Sequence, residues 1–217
     1  MLRRLVTALA LAATLTGCPA FFVDRGELVR PSASLDRPAV GQLPPASEFV
    51  ELEERWRRDT RIGLGGYAEA TLIDPKLAGA MVAHEGAVQS MRAQALEGLL
   101  ATTWETLYGA EGDRFPIDVS WRFDQQFISQ GRILDPAEWQ ITVQASGREI
   151  APLAVSRLEA GDAPRDGYWE GKVRLWFPMR DLESGHRLLG GETDVLTLRL
   201  VHRSGSGALS WRFSSVF

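Results

Sequence analysis

Apolar and polar residues alternate strictly between residues 115 and 124, and this is the clearest pattern in the chain. The apolar positions are Phe115, Ile117, Val119, Trp121 and Phe123. A period of two places alternate side chains on opposite faces of an extended chain. The stretch therefore predicts a β-strand with one face in a hydrophobic core and the other face in solvent.

Weaker patterns of the same kind recur through the second half of the chain. They predict strands near residues 67–73, 139–145, 149–157, 169–177, 196–201 and 209–213. The Ser204–Gly207 stretch lies between the last two and has the composition of a hairpin turn. About seven strands with short polar turns predict a mainly β (α+β) fold. We expect an antiparallel β-sandwich, immunoglobulin-like in broad architecture, with a helical insertion.

Two segments before the main run of strands have helical spacing. Residues 47–61 begin with Ser47, a good N-cap, and end in arginines that suit the last turn of a helix. Residues 75–108 follow Asp74 and Pro75, a strong helix start, and their apolar residues recur every three or four positions. We expect helices near 47–61 and 75–108, the second with a possible break near Gly98.

The N-terminal segment has the three parts of a secretory signal. Arg3 and Arg4 are followed by an apolar run from Leu5 to Leu15, which is too short to span a bilayer. The run ends in Leu15-Thr16-Gly17-Cys18. These four residues resemble the lipobox of bacterial lipoproteins. The resemblance implies a signal peptide over residues 1–17, cleavage after Gly17 and acylation of Cys18.

Lipid on Cys18 would anchor the protein to a membrane of the cell envelope. Residues 18–46 would then form a proline-rich tether to a domain at 47–217, because prolines recur there among small and charged residues. The residue after the cysteine is Pro19, whereas Asp at that place retains enterobacterial lipoproteins in the inner membrane. The resemblance therefore favours the outer membrane, facing the periplasm, over the inner membrane.

Net charge and cysteine content limit the class of partner and the kind of core that we expect. Cleavage after Gly17 would remove Arg3 and Arg4 from 24 basic residues and none of the 28 acidic ones, which takes the net charge from −4 to −6. An acidic domain argues against nucleic acid as a partner. Cys18 is the only cysteine, so the domain has no disulfide framework. We expect a core that is stable by apolar packing alone.

Catalytic and metal-binding patterns are weak. His84-Glu85 is not an HExxH zinc motif, because residue 88 is Val, and His84 is better explained as a boundary residue of a helix. The acidic loop 181–194 is a weak calcium candidate whose spacing matches no known calcium loop; its polar residues are Asp181, Glu183, His186, Glu192 and Asp194. We expect no enzyme activity, no metal and no cofactor.

Two aromatic residues stand apart from the predicted core. Trp176 and Tyr168 occupy the outward phase of the strand near 169–177, whereas Trp121, Trp139, Trp169 and Trp211 occupy inward phases. The outward pair marks a possible contact surface, or lies under the inserted helices. The sequence thus predicts a non-enzymatic envelope lipoprotein that contacts another envelope protein or is a structural component of an envelope assembly. The alternative is a lipoprotein that binds a glycan or peptide on the outward face of the sheet.

Overall fold

The computed structural model describes residues 28–32, 35–63, 65–126, 131–160, 165–189 and 193–214. Ten strands and three α-helices lie within these ranges. The strands are β1 (Leu28–Val29), β2 (Arg57–Ile62), β3 (Gly66–Leu72), β4 (Arg114–Asp124), β5 (Gln140–Ala145), β6 (Arg148–Ile150), β7 (Ala154–Ala160), β8 (Tyr168–Pro178), β9 (Val195–His202) and β10 (Gly205–Phe213). The helices are α1 (Phe49–Trp56), α2 (Pro75–Val88) and α3 (Ala93–Tyr108). No helix among the described residues is long and apolar enough to cross a membrane.

The strands form two five-stranded sheets with a sandwich-like arrangement. The first sheet has the order β1-β10-β9-β5-β6 and the second β2-β3-β4-β8-β7. Every pairing is antiparallel except β1 with β10. The mainly β prediction is therefore confirmed at this level.

The core lies between the two sheets and contains the residues that the period of two placed inward. Trp121 and Trp211 are almost fully buried, Trp139 is buried, and Trp169 is half-buried at the margin. The indole rings of Trp121 and Trp139 stack with centroids 5.2 Å apart. Because the indole of Trp211 also donates to the Trp56 carbonyl at 2.6 Å, the core ties α1 to β10.

The helix expected over 47–61 needs correction. The helical part ends at Trp56, and Arg57–Ile62 is an edge strand paired along its whole length with β3. Arg58 donates from Nε to the Ser210 carbonyl of the opposite sheet at 3.1 Å. The strand forms because β3 offers it a complete ladder and Ile62 reaches the core, which outweighs the helical preference of its arginines.

The long helix expected over 75–108 is two helices that fold back on each other. The chain turns at Gln89–Arg92, where Ser90 has a φ of 51°. A Cβ on Gly86 would lie 2.5 Å from the end of the Leu96 side chain, so glycine at this position lets Leu96 of α3 pack closely on α2. Gly98, where the break was expected, has open space around it and lies inside α3.

The strand expected over 149–157 is also two elements. Arg148–Ile150 pairs with β5 in the first sheet, whereas Ala154–Ala160 pairs with β8 in the second. The chain crosses between the sheets at Ala151–Leu153. Alternation alone could not show this crossing, because both halves are extended.

The described residues of the expected tether 18–46 are packed on the domain. Val29 is fully buried in β1, and the indole of Trp104 donates to the Leu35 carbonyl at 2.7 Å. Ser32 donates from its hydroxyl to Asp74 at 2.6 Å. Residues described between 28 and 46 therefore pack on the helices that the strands leave exposed, where the sequence predicted a tether.

Candidate functional site

Trp176 lies on the outer face of β8, the face turned away from the core, and packs against α3. Its indole nitrogen donates to the Thr106 carbonyl at 3.1 Å, and the Arg114 guanidinium lies 5.7 Å from the ring centroid. Arg114 also donates to the Glu105 and Thr106 carbonyls at the end of α3. Of the two roles open to Trp176 from sequence, the structure shows a contact with the inserted helices that leaves the ring half-exposed.

A depression of about 470 Å³ opens beside the exposed side of this ring. It is lined by Trp176, Glu105, Thr106, Arg114 and Ala154. The lining of the depression therefore contains both apolar and charged groups. Because Ala154 begins β7, the depression continues directly onto the edge of the second sheet. We call this depression and the neighbouring strand edge the Trp176 surface.

Exposed apolar side chains lie along the edge strand β7 and at the residue directly before it. Leu153, Val155 and Leu158 are 55%, 42% and 42% exposed. Within the described residues β7 pairs only with β8. A bulge between Arg157 and Glu159 distorts the far half of the strand. The regular part of this open edge is therefore Ala154–Arg157, next to the depression. The alternation predicted a single strand near residues 149–157, and so it did not indicate this open strand edge.

Tyr168 is half-exposed at the opposite end of β8. The guanidinium of Arg122 lies 3.7 Å from its ring centroid and also pairs with Glu170 at 3.3 Å. Eight residues of extended strand separate Tyr168 from Trp176, a distance of roughly 26 Å. The structure therefore does not bring the two outward aromatic residues into one contact surface.

A second concavity, the helix–sheet cleft, lies where α1 and α2 cover the middle of the same sheet face. Its cavity volume is about 160 Å³, and Phe49, Glu53 and Met81 of the helices face Glu69, Asp118 and Lys172 of the strands. Asp118 lies on the face of β4 that the alternation of the sequence predicted to be in solvent. Charged residues on neighbouring strands indicate from sequence the polar side of this cleft. No sequence pattern indicates that the helices cover it.

Ion pairs neutralise the carboxylates of the cleft. Arg57 lies 3.0 Å from Glu53 and 3.4 Å from Glu69, and Arg174 binds Asp118 through two hydrogen bonds of 2.6 and 2.8 Å. Burial acts to lower the pKa of Arg57, but the carboxylates of Glu69 and Glu53 outweigh it and the pKa is raised. The cleft therefore offers oriented, charge-balanced oxygen and nitrogen atoms beside an aromatic wall.

The weaker candidates for metal binding from the sequence were His84 and the acidic loop 181–194. His84 stacks on Phe49 with ring centroids 4.9 Å apart, at the border of the cleft. Asp181 accepts hydrogen bonds from the Ser184 hydroxyl, the Glu183 amide and Arg148. These hydrogen bonds, the Ser184 bond first, lower the pKa of Asp181. The described residues include no group of three or more His, Cys, Asp or Glu that could hold a metal ion. Glu192 lies outside the described residues.

Cys18 and the rest of the lipobox-like stretch also lie outside the described residues. The described chain begins ten residues after Cys18, at Leu28. Lipidation therefore stays a prediction from the sequence.

Comparison with known proteins adds little to this description. No protein-family model and no curated protein matches the chain. It resembles a crystal structure of a protein of unknown function from Burkholderia pseudomallei, at 12% identity with a TM-score of 0.41. The match covers 82% of this chain and 94% of that one. A likeness this distant carries no argument about function.

Proposed function

We propose that this protein is a lipid-anchored, non-enzymatic component of the bacterial cell envelope that binds another envelope protein through the Trp176 surface. The lipobox-like residues Leu15–Cys18 support the anchor. Pro19 in place of Asp supports the outer membrane, with the domain facing the periplasm. The two facing sheets support an immunoglobulin-like architecture in the broad sense, a fold class that often presents binding surfaces.

The observation that carries the protein-binding role is the junction of an open strand edge with a depression beside a half-exposed tryptophan. An exposed strand edge has unpaired backbone donors and acceptors and is a template for a strand from another chain. Tryptophan is enriched among the residues that dominate binding energy at protein interfaces. At this site the two features adjoin, because Ala154 belongs to both.

The partner would add an extended segment along Ala154–Arg157. Backbone hydrogen bonds would supply affinity, and one side chain of the segment would enter the depression beside Trp176. Leu153 and Val155 would be covered by the added strand. The bulge after Arg157 would end the pairing there, so the interaction would be short and specific rather than an open-ended association of edges.

Crosslinking in intact cells tests this proposal. A photoreactive residue in place of Leu153, which is exposed directly before β7, should capture one defined envelope protein, and Trp176→Ala or Val155→Lys should reduce that capture at least tenfold. Val88→Lys is the matched control, because Val88 is 68% exposed on α2, away from the proposed surface. Unchanged capture in both surface variants, with the fold intact, would exclude the Trp176 surface.

The second candidate function is binding of a glycan or peptide in the helix–sheet cleft. The observation that favours it is the charge-balanced polar lining beside Phe49, since such groups can hydrogen-bond to uncharged hydroxyls and amides. Titration of the protein with soluble cell-wall glycan fragments tests this candidate. Lys172→Ala should weaken binding there, whereas Arg122→Ala, on the same sheet face but outside the cleft, should not.

A further inference from the structure

One end of the sandwich contains β1, the described strand nearest in sequence to the predicted anchor. Leu28 of β1 pairs with Arg212 of β10, and Arg212 pairs with Val195 of β9. The Ser214 amide donates to the Val29 carbonyl at 3.0 Å. The loop 179–189 joins the same end, because Arg187 donates to the Ser32 carbonyl at 3.3 Å. We call this the anchor-proximal end.

Three exposed apolar side chains lie at the anchor-proximal end. Leu28 is 65% exposed and Val195 39%, and they flank Arg212 on one face of the first sheet. Leu182 is 86% exposed, the most exposed large apolar residue among those described. Leu182 lies at the tip of a turn and has no role in the core of this domain.

The turn that carries Leu182 is held in one conformation by its neighbours. The Asp181 carboxylate accepts from the Glu183 amide at 3.0 Å and from the Ser184 hydroxyl at 2.7 Å, and the Gly185 amide donates to the Asp181 carbonyl at 2.8 Å. Arg148 of β6 binds both Asp181 and Glu183. The apolar tip is therefore presented on an ordered turn, which lowers the entropy cost of inserting it into another phase.

The same end is rich in arginine although the protein as a whole is acidic. Arg30, Arg180 and Arg212 are exposed there, and Arg148 and Arg187 lie next to them. Among the carboxylates at this end, Asp181 and Glu183 are both paired with Arg148, whereas Asp113 and Asp194 are exposed. Positive charge beside exposed apolar side chains is the composition that binds anionic bilayer surfaces.

We infer that the anchor-proximal end docks on an anionic phospholipid surface, with Leu28, Leu182 and Val195 at headgroup depth and the arginines on lipid phosphates. This inference rests on the lipid anchor of the proposed function. Ten residues join Cys18 to Leu28, and even fully extended they span at most about 35 Å. This reach exceeds the length of the nine-residue strand β10, roughly 30 Å, so the anchor allows this end to lie on the bilayer, and the exposed apolar and arginine side chains select it.

Docking in this orientation places the hairpins at residues 62–66 and 202–205 at the far end, away from the bilayer. Trp176 and Ala154 lie at the ends of β8 and β7 that adjoin the anchor-proximal end. Met179, which follows β8, makes two backbone hydrogen bonds there: its amide donates to the Asp113 carbonyl, and its carbonyl accepts from the Leu188 amide. The Trp176 surface would therefore face sideways, close to the membrane, where a second envelope protein is accessible.

Vesicle binding tests the inference without the anchor. The chain 18–217 carrying Cys18→Ser has no acyl group, and we expect it to bind vesicles of 30% phosphatidylglycerol in phosphatidylcholine but not vesicles of phosphatidylcholine alone. Leu182→Asp together with Val195→Asp should weaken binding at least tenfold. Val50→Asp together with Val88→Asp is the matched control, because both valines are exposed on helices. Absence of binding to the anionic vesicles, or equal loss in the control, overturns the inference.

A second measurement uses the lipidated protein. Acylation occupies Cys18, so Leu182→Cys introduces the single free thiol for a polarity-sensitive fluorophore. Lipids with a spin label at carbon 5 should quench this fluorophore strongly and should not quench the same fluorophore at Val88→Cys. An unquenched fluorophore at position 182 contradicts docking. Failure of the anchor is distinguishable, since an unacylated chain would not float with vesicles of phosphatidylcholine alone.

Discussion

The guanidinium of Arg174 binds the carboxylate of Asp118 through two hydrogen bonds, and the pair lies on neighbouring strands beneath the helices. Their side chains are only 16% and 12% exposed. A paired charge in such a place is easily tolerated, whereas a single charge there is costly. This pair therefore keeps the strand side of the helix–sheet cleft polar without leaving an unpaired charge there.

Removing one partner of this pair should destabilise the domain. We expect Asp118→Ala to lower the free energy of unfolding by roughly 2 kcal/mol, because Arg174 would keep its charge without the carboxylate. Arg122→Ala is the control on the same strand. The Arg122–Glu170 pair is about half exposed, so its loss should cost no more than about 0.5 kcal/mol. Urea unfolding of the two variants measures both values; equal losses would contradict the structural role of the buried pair.

Asp74 should lower the free energy of unfolding as the pH rises, which is opposite to the usual effect of a carboxyl group. Burial raises the pKa of its carboxyl above the ordinary value of 3.8, although hydrogen bonds from Ser32 and the Leu77 amide oppose the shift. A raised pKa in the folded state means that the contribution of this group to stability is fully present below pH 3.8. That contribution is lost as pH rises through the raised pKa.

The comparison with Asp74→Asn isolates this effect. Asn can still accept the hydrogen bond from the Leu77 amide but does not ionise, so the stability of the variant relative to the natural protein should increase from pH 4 to pH 7. Asp74→Ala removes the helix cap and should cost about 1 kcal/mol more than Asp74→Asn. Thermal unfolding over this pH range checks both statements. A difference between the natural protein and Asp74→Asn that stays constant with pH would show that Asp74 has no shifted pKa.

Truncation should reveal where the folded unit begins. A chain that starts at residue 28 retains β1 and the Ser32–Asp74 hydrogen bond, and we expect it to unfold cooperatively at nearly the temperature of the mature protein. A chain that starts at residue 47 uncovers Asp74 and the indole of Trp104, whose acceptor is the Leu35 carbonyl. It should melt at least 10 °C lower, because several kcal/mol of burial and hydrogen bonding are lost. Equal melting temperatures would restore the tether interpretation of residues 28–46.

Trp176 should contribute to both stability and binding, and the two effects can be separated. Trp176→Ala should lower the free energy of unfolding by roughly 2–3 kcal/mol, because the indole packs on α3 and its nitrogen donates to Thr106. Trp176→Phe retains most of the packing and should cost only about 1 kcal/mol. Denaturant titration measures the stability, and the capture experiment measures binding. Loss of capture in Trp176→Phe without loss of fold would show a direct role of the indole in the contact.

Membrane attachment should depend on the sulfur of Cys18. Three acyl chains, as the lipobox resemblance implies, would give an effectively permanent anchor at about 0.8 kcal/mol for each buried methylene. Cys18→Ser should therefore release the protein from membranes after a carbonate wash, since surface docking alone is reversible. Mass spectrometry of the mature protein should find the acyl chains on residue 18. Full retention of the Cys18→Ser protein would demonstrate a different anchor.

The regular strands of the core were determined locally and could be predicted from the sequence. Strand β4 alternates from Ile117 to Asp124, and Ser204 lies in the short turn that leads from β9 into β10. The start of α2 was equally local, because Asp74 caps the helix and Pro75 opens it. At these places the hydrophobic pattern, the turn residues and the capping residues all favour the same structure, so no long-range contact is needed to decide it.

Other elements were decided only by tertiary contacts. The Arg57–Ile62 segment is charged and has helical neighbours, but pairing with β3 makes it a strand. Leu96 packed against Gly86 sets the turn between α2 and α3, and that contact joins residues on different helices. The helix–sheet cleft and the Trp176 surface arise the same way, from side chains far apart in sequence. Periodicity tells which face of an element is buried, but it cannot tell which other element covers that face, because any complementary apolar surface satisfies the pattern.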